Sequence, residues 1–316
     1  MVFSFVKKLF SNGSGATKSS VSTISNQYIF SSGTQNLGSN LTDIATFPIP
    51  NFRNMNLSSL KFVLTMNGTA GATAPTSMNP IEYGVKKLQI ATAGGVILMD
   101  LDGSKNDISI MARYLTLGGK YTASPTPATP SASGNTSGVW NLSFPFGIPA
   151  SFFPLTLTMT FNTLSSLTGG STPLASATLN MNMYASYTTA GMSATKIKSL
   201  DIPVASSGDI ALQSNFPQGR TIITQVYQYG ADANLDSVYF APDGLTPELN
   251  NAPLSSLIDK EDIVYPVAQH VNGFINLFTD MFSVNPSTSF SINFTNAPSL
   301  LNGTANKLRT YWIEAY

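Results

Sequence analysis

One histidine, no cysteine and sixteen carboxylates bound the chemistry open to this 316-residue chain. His270 has no second imidazole with which to share a metal. A histidine-assisted nucleophile also needs an orienting partner placed by the fold. Without cysteine there are no disulfides and no thiolate metal sites, and its absence says little about redox compartment. Two carboxylates suffice for glycoside hydrolysis, yet only Trp140 and Trp312 are present to stack sugars. Asp232-Ala-Asn-Leu-Asp236 places oxygens of Asp232, Asn234 and Asp236 at alternate positions, as calcium loops do, but the glycine and distal glutamate of a full loop are missing. Asp100-Leu-Asp-Gly103 is thinner still, and both read as turns. No GxxxxGK[ST] phosphate loop occurs, and Gly118-Gly119 and Gly169-Gly170 read as turn glycines. This inventory offers no catalytic residue and no cofactor. It points to a chain that binds or builds and is not an enzyme.

The composition agrees. Hydrophobic residues make up 42%, enough for a substantial core, while charged residues make up 10% against the usual quarter. Ser, Thr, Asn and Gly take the place of charge, which suits surfaces that become covered by other subunits, since interface cores are depleted of charge. Net charge is zero, so there is no basic field and no specific nucleic-acid binding is expected. No run of 18 or more apolar residues can span a membrane. Val2–Phe10 is too short for a secretory signal and is interrupted by Lys7 and Lys8, so use without standard secretion is expected.

The elements that must carry any function are short strands. Before them comes a different pattern: on a helical wheel Val2, Phe3, Phe5, Val6, Leu9 and Phe10 share an arc of roughly 160°, with Ser4, Lys7, Lys8 and Ser11 opposite. Such a helix lies on a membrane surface or docks on protein. Asn12–Ser20 is a flexible tether of Gly, Ser, Asn, Ala, Thr and Lys that lets the helix reach beyond the folded body. Strands are expected at Gln27–Phe30, Ile44–Ile49, Leu60–Met66, Val85–Ala91, Val96–Leu101, Trp140–Phe144, Leu155–Phe161 and Leu179–Tyr187. Others are expected at Ile202–Val204, Thr221–Tyr229, Leu235–Phe240, Phe290–Phe294 and Leu308–Ile313, with weaker candidates at Ile263–Val267 and Gly273–Phe278. Leu155-Thr-Leu-Thr-Met-Thr-Phe161 alternates throughout, and Thr92-Ala-Gly-Gly95 reads as a hairpin turn. A short helix is expected over Asp107–Leu117, capped by Ser104 or Asn106. Ser124–Gly138 and Pro242–Leu257 read as long loops, the latter with a helical turn at Leu254–Ile258.

The two halves end alike. Thr158–Phe161 and Ser291–Phe294 are each followed by a leucine-containing loop, a glycine turn and a last strand, to Tyr187 and to Tyr316. This weak repeat favours two similar β-domains over one barrel. The expected division is helix and tether over 1–20, a first domain over 21–192 and a second over 193–316, jointed at Ala190–Ser199.

A membrane-type helix on a tether, the strand series and the paired ends at Tyr187 and Tyr316 resemble the double jelly-roll major capsid proteins of icosahedral viruses with an internal lipid membrane, among them lipid-containing phages of aquatic bacteria such as Flavobacterium. The likeness is architectural, spans the whole chain and rests on no diagnostic motif. It implies an all-β fold of two jelly-roll sandwiches side by side, with the N-terminal helix and one short helix in the first domain. It further implies pseudo-hexagonal homotrimers tiling a shell in the virion, assembled in the host cytoplasm, with neighbouring trimers, penton and minor capsid proteins and membrane lipid as partners. Val2, Phe3, Phe5, Val6, Leu9 and Phe10 would then face lipid, and Lys7 and Lys8 its phosphates. The alternative is a β-rich adhesin or a receptor-binding or spike module.

Overall fold

The computed structural model describes residues 21–40, 42–76, 78–102, 107–110, 120–121, 128–168, 172–191, 195–203, 208–211, 221–228, 235–257, 259, 274–276, 282–294 and 307–315. The helix and tether expected over 1–20 lie outside them. Alternation builds the strands. In Leu155–Phe161 the side chains of Leu155, Leu157, Met159 and Phe161 are fully buried, Thr156 and Thr158 are half-buried on the other face, and Thr160 on that face is covered as well. In Leu174–Thr188, Leu179, Met181 and Met183 are buried while Asn180 and Asn182 turn outward. A one-residue slip would exchange the two faces, so the pattern fixes the register.

The first half holds β1 (Thr23–Ser31), β2 (Gln35–Leu37), β3 (Thr42–Ile49), β4 (Asn56–Ala70), β5 (Val85–Thr92), β6 (Ile97–Asp102), β7 (Lys120–Tyr121), β8 (Ser133–Ile148), β9 (Leu155–Phe161) and β10 (Leu174–Thr188), with helix α1 (Asp107–Ile110) after β6. The second holds β11 (Thr195–Pro203), β12 (Gly208–Ala211), β13 (Thr221–Gln228), β14 (Leu235–Ala241), β15 (Leu249–Pro253), β16 (Phe274–Asn276), β17 (Phe282–Ser283), β18 (Ser289–Phe294) and β19 (Lys307–Ala315). Two antiparallel sheets form in each half. The first has β1-β10-β4-β8-β7, with β2 beside β10, and β3-β9-β5-β6. The second has β11-β19-β13-β16, with β17 beside β13, and β12-β18-β14-β15. With β2, β7 and β17 set aside, each half has eight strands, and the two orders match position by position. First, eighth, third and sixth share one sheet; second, seventh, fourth and fifth share the other. This is the jelly-roll order, present twice. The similar ends read in the sequence are its seventh and eighth strands.

Several expectations needed correction. Ser124–Gly138 is not a loop throughout: β8 begins at Ser133 and pairs with β4 from Thr69↔Ser133 onward. Its inward Gly138 has no room for a side chain, because Pro80 and Ile81 already fill the space. A Cβ on Gly138 would stand 2.7 Å from Ile81 Cδ1. Pro242–Leu257 likewise contains β15, which pairs with β14 from Phe240↔Leu249 to Ser237↔Pro253 and has one buried residue, Leu249. The joint is narrower than Ala190–Ser199, because Thr195–Ser199 already pairs with Tyr311–Ala315. Of the expected helix, Asp107–Ile110 is helical and the remainder lies outside the described residues, as does Ile263–Val267. The hairpin at Thr92–Gly95 forms as expected, with Gly95 at φ +79 and its N–H donating to Thr92 O.

Both ends of the first sandwich's chain meet at the joint. Thr189 N–H donates to Ser22 O at 3.0 Å, Ser22 N–H donates to Thr189 Oγ1 at 2.9 Å, and Asn56 Nδ2 donates to Ala190 O at 2.6 Å. Five residues after Ala190, β11 begins opposite Ala315.

Candidate functional site: the seam between the sandwiches

Among the described residues no three His, Cys, Asp or Glu side chains cluster as metal ligands. The groups that are brought together lie where the second sandwich meets the first. The edge of the first sandwich formed by β6 and β8 packs against β11, the edge strand of the second. α1 carries Asp107 into this seam, and β19 carries Arg309 and Tyr311.

Register explains how three polar side chains come to one point. Asp201 stands opposite Arg309, and Ser199 opposite Tyr311, across the β11–β19 ladder. Arg309 and Tyr311 are two residues apart and so share a face. Arg309 Nε and Nη2 donate to Asp201 Oδ1 and Oδ2 at 2.6 and 2.8 Å. Its Nη1 crosses the seam and donates to Asp107 Oδ1 at 2.7 Å, and Tyr311 Oη donates to the same oxygen at 2.6 Å. Asp107 Oδ2 accepts the Asp102 N–H at 3.1 Å, so both carboxylate oxygens are used. Asp107, Arg309 and Tyr311 are only 4%, 3% and 1% exposed. Tyr311 and the half-buried Ile197 also join the apolar core of the first sandwich.

Burial disfavours the charge on Arg309, but the hydrogen bonds to Asp201 and the fields of Tyr311, Asp107 and Asp201 outweigh it and hold its pKa above the ordinary value. Burial, reinforced by the Asp107 carboxylate, pushes the Tyr311 phenol well above its usual range. Asp107, Arg309 and Tyr311 are enclosed, and Asp201 is the member that reaches solvent. Chemically it is a fastener, two carboxylates bridged by one guanidinium, with ends on different sandwiches.

Val2, Phe3, Phe5, Val6, Lys7, Lys8, Leu9 and Phe10, like His270, Asp232 and Asn234, lie outside the described residues; Asp236 falls in β14. Trp140 does not line a sugar cleft: it is fully buried, 5.4 Å from the Phe62 ring. Lys87 makes an exposed ion pair with Asp100 at 3.5 Å, of a kind worth little to stability. Sequence reading missed the seam. Its one signal was a charged residue in Leu308-Arg-Thr-Tyr-Trp-Ile313, in phase with an aromatic that alternation places inward.

No family model matches the sequence, and no curated protein matches it. Solved structures do. The atomic structure of Sulfolobus turreted icosahedral virus is similar over 93% of this chain and 90% of the other, at TM-score 0.57 and 16% identity. The crystal structure of the STIV MCP is similar over 93% and 96%, at TM-score 0.56 and 17% identity. PBCV-1 VP54, fitted into a cryo-EM reconstruction of the virophage Sputnik, is similar over 96% and 96%, at TM-score 0.53 and 13% identity. At such identities the likeness establishes a shared fold, the double jelly roll, along nearly the whole length of both partners.

Proposed function

We propose that this chain is the major capsid protein of an icosahedral virus and that its work is the burial of area between subunits, not bond making. The observation that carries this reading is the duplicated strand order, matched over 93% of the chain to a protein of an icosahedral virion. The seam supports it, because a shell block must present its two sandwiches at one fixed angle. With domains at 21–192 and 193–316, three copies would set six similar sandwiches in a ring, giving a pseudo-hexagonal trimer that tiles with other trimers and with penton and minor capsid proteins. Assembly takes place in the host cytoplasm, and the protein resides in the virion.

The described chain begins beside the joint, where Ser22 bonds to Thr189. Residues 1–20 are read as a membrane anchor, with Val2, Phe3, Phe5, Val6, Leu9 and Phe10 in internal lipid and Lys7 and Lys8 at its phosphates. The test is sedimentation of the full chain together with flotation on anionic liposomes. A trimer that floats, and a Phe5→Asp/Leu9→Asp variant that stays trimeric but no longer floats, are the expected results. A monomer at all concentrations that ignores liposomes would sink the reading.

A further inference from the structure

Several links of the chain converge at the end of the first sandwich where β1 begins. Ser22 bonds to Thr189 there, and the Asn56 side chain holds both Ala190 O and the Ala150 N–H. Ala93 N–H donates to Pro154 O, which ties the β5–β6 turn to the link before β9. Tyr187 Oη reaches Pro50 O, and the Phe52 and Phe153 rings lie 5.9 and 6.5 Å from the Tyr187 ring.

The link from β3 to β4 is strained at this end. Met55 N–H donates to Phe52 O at 3.0 Å, and the residues between, Arg53 and Asn54, stand at φ +50 and +55. This is the backbone of a type I′ turn, whose two centres favour Asn, Asp or Gly. Asn54 suits it and Arg53 does not; such strain collects at binding surfaces. Arg53 is exposed, with its guanidinium carbon 5.4 Å from the centre of the Phe52 ring. Over residues 21–24, 49–57, 91–97, 147–155 and 187–191, which form this end, Arg53 is the one charged residue. Carboxylates keep their distance. Asp43 and Asp102 both lie level with Thr160, at the far end of β9 from Leu155. Apolar groups do not: Val21 and Ile97 are 60% and 45% exposed, and Phe52, Phe152 and Phe153 are half-buried.

We propose, resting on the internal-membrane reading above, that this end of the folded body is itself a lipid-binding surface, with Arg53 taking a lipid phosphate and the three phenylalanines at the headgroup boundary. A guanidinium offers phosphate paired N–H donors while it stacks on an aromatic face. Phenylalanine suits the boundary between headgroups and acyl chains, and an end without carboxylates does not repel an anionic leaflet. Reach argues the same way. The chain from Phe10 to Val21 spans at most about 40 Å, whereas the far ends of β4 and β10 lie about 46 Å off at ~3.3 Å per residue. Lipid that holds Phe10 therefore meets this end and not the other. The corresponding end of the second sandwich exposes Leu245 but carries Asp243 and Glu248, so the phosphate contact belongs to the first. Nucleic acid would meet a single cation here.

The test uses the full chain and vesicles of phosphatidylcholine with phosphatidylglycerol. Arg53→Asn removes the cation and installs a residue that accepts a positive φ. It should melt no lower than the parent yet bind the vesicles about fivefold more weakly, the worth of one basic side chain at an anionic surface. Gly94, at the β5–β6 turn, has room for a side chain, its nearest neighbour being Thr92 Oγ1 at 3.8 Å, and the chain has no cysteine of its own. A fluorophore on Gly94→Cys should be shielded from an aqueous quencher by vesicles; one on Ser165→Cys, exposed between β9 and β10 at the other end, should not. If the parent floats while Arg53→Asn binds equally well or the Gly94→Cys probe stays open to quencher, this surface is wrong and the helix anchor stands. If the parent ignores the vesicles, both fall.

Discussion

The two sandwiches share a strand order, and among the described residues they differ in strand length. In the first, β4 and β10 have 15 residues each; of their counterparts β13 and β19, the described residues form 8 and 9. The other sheet hardly differs: β5 and β9 have 8 and 7 residues, and β14 and β18 have 7 and 6. Order and length are thus set separately. Order follows from which strands can pair without crossing connections. Length follows from how far alternation continues, and in β4 and β10 it continues well past what closing the sandwich requires. The strands bury an inner face, Leu64, Met66 and Ala70 on β4 and Leu174 and Leu179 on β10, and present an outer face on which Lys61 is the one charge of β4.

Cutting the tie between the unequal halves should have the largest effect. Arg309→Met leaves Asp107 buried without its cation, and breaking such a pair costs about 3–5 kcal/mol; denaturant unfolding should then resolve two transitions in place of one. Trp140→Ala, a large loss confined to the first sandwich, should cost about 3–5 kcal/mol and lower that sandwich's transition first. A single unaltered transition in either variant would mean that the halves are not coupled as the seam suggests. Gly138→Ala and Gly244→Ala probe tight backbone in the two halves. The first must displace the tip of Ile81, about 1–3 kcal/mol. The second meets the fixed Ser287 carbonyl at a backbone of φ +77, and should cost more. The reverse ranking would show that the long sheet is the stiffer one.

The smallest effect is alkaline. Tyr187, whose hydroxyl donates to Pro50 O at 2.8 Å, is pushed up to about 12 by burial. Its folded pKa lies above its unfolded value near 10, so the neutral phenol's contribution is complete below about pH 10 and is lost as pH rises toward 12. Tyr187→Phe should flatten the stability profile over that window. A phenol that titrates near 10 in the folded protein would contradict the burial.

Legibility in the sequence followed the same divide between pattern and contact. The bounds of β9 were plain because Leu155 to Phe161 alternate without a break. The Thr92–Gly95 turn was plain because a glycine was needed there. The start of β8 was hidden, since Gly134, Thr136 and Gly138 face inward against residues that come from elsewhere. The seam was hidden more deeply. Asp107 and Arg309 are 202 positions apart, and no local rule joins a helix in one half to a strand in the other. Strand order also came from the folded chain, because periodicity shows that a segment is a strand and not which neighbour it takes.

The pinning of Ser22 to Thr189 has a mechanical consequence. β1 begins at that point and runs antiparallel to β10, so tension applied through residue 21 along the strand axis loads the whole β1–β10 ladder. The ladder bonds of β1 then share the force in shear and do not open one after another. Force carried along that axis arrives at Thr189 and Ala190, where the chain passes from the first sandwich toward the second.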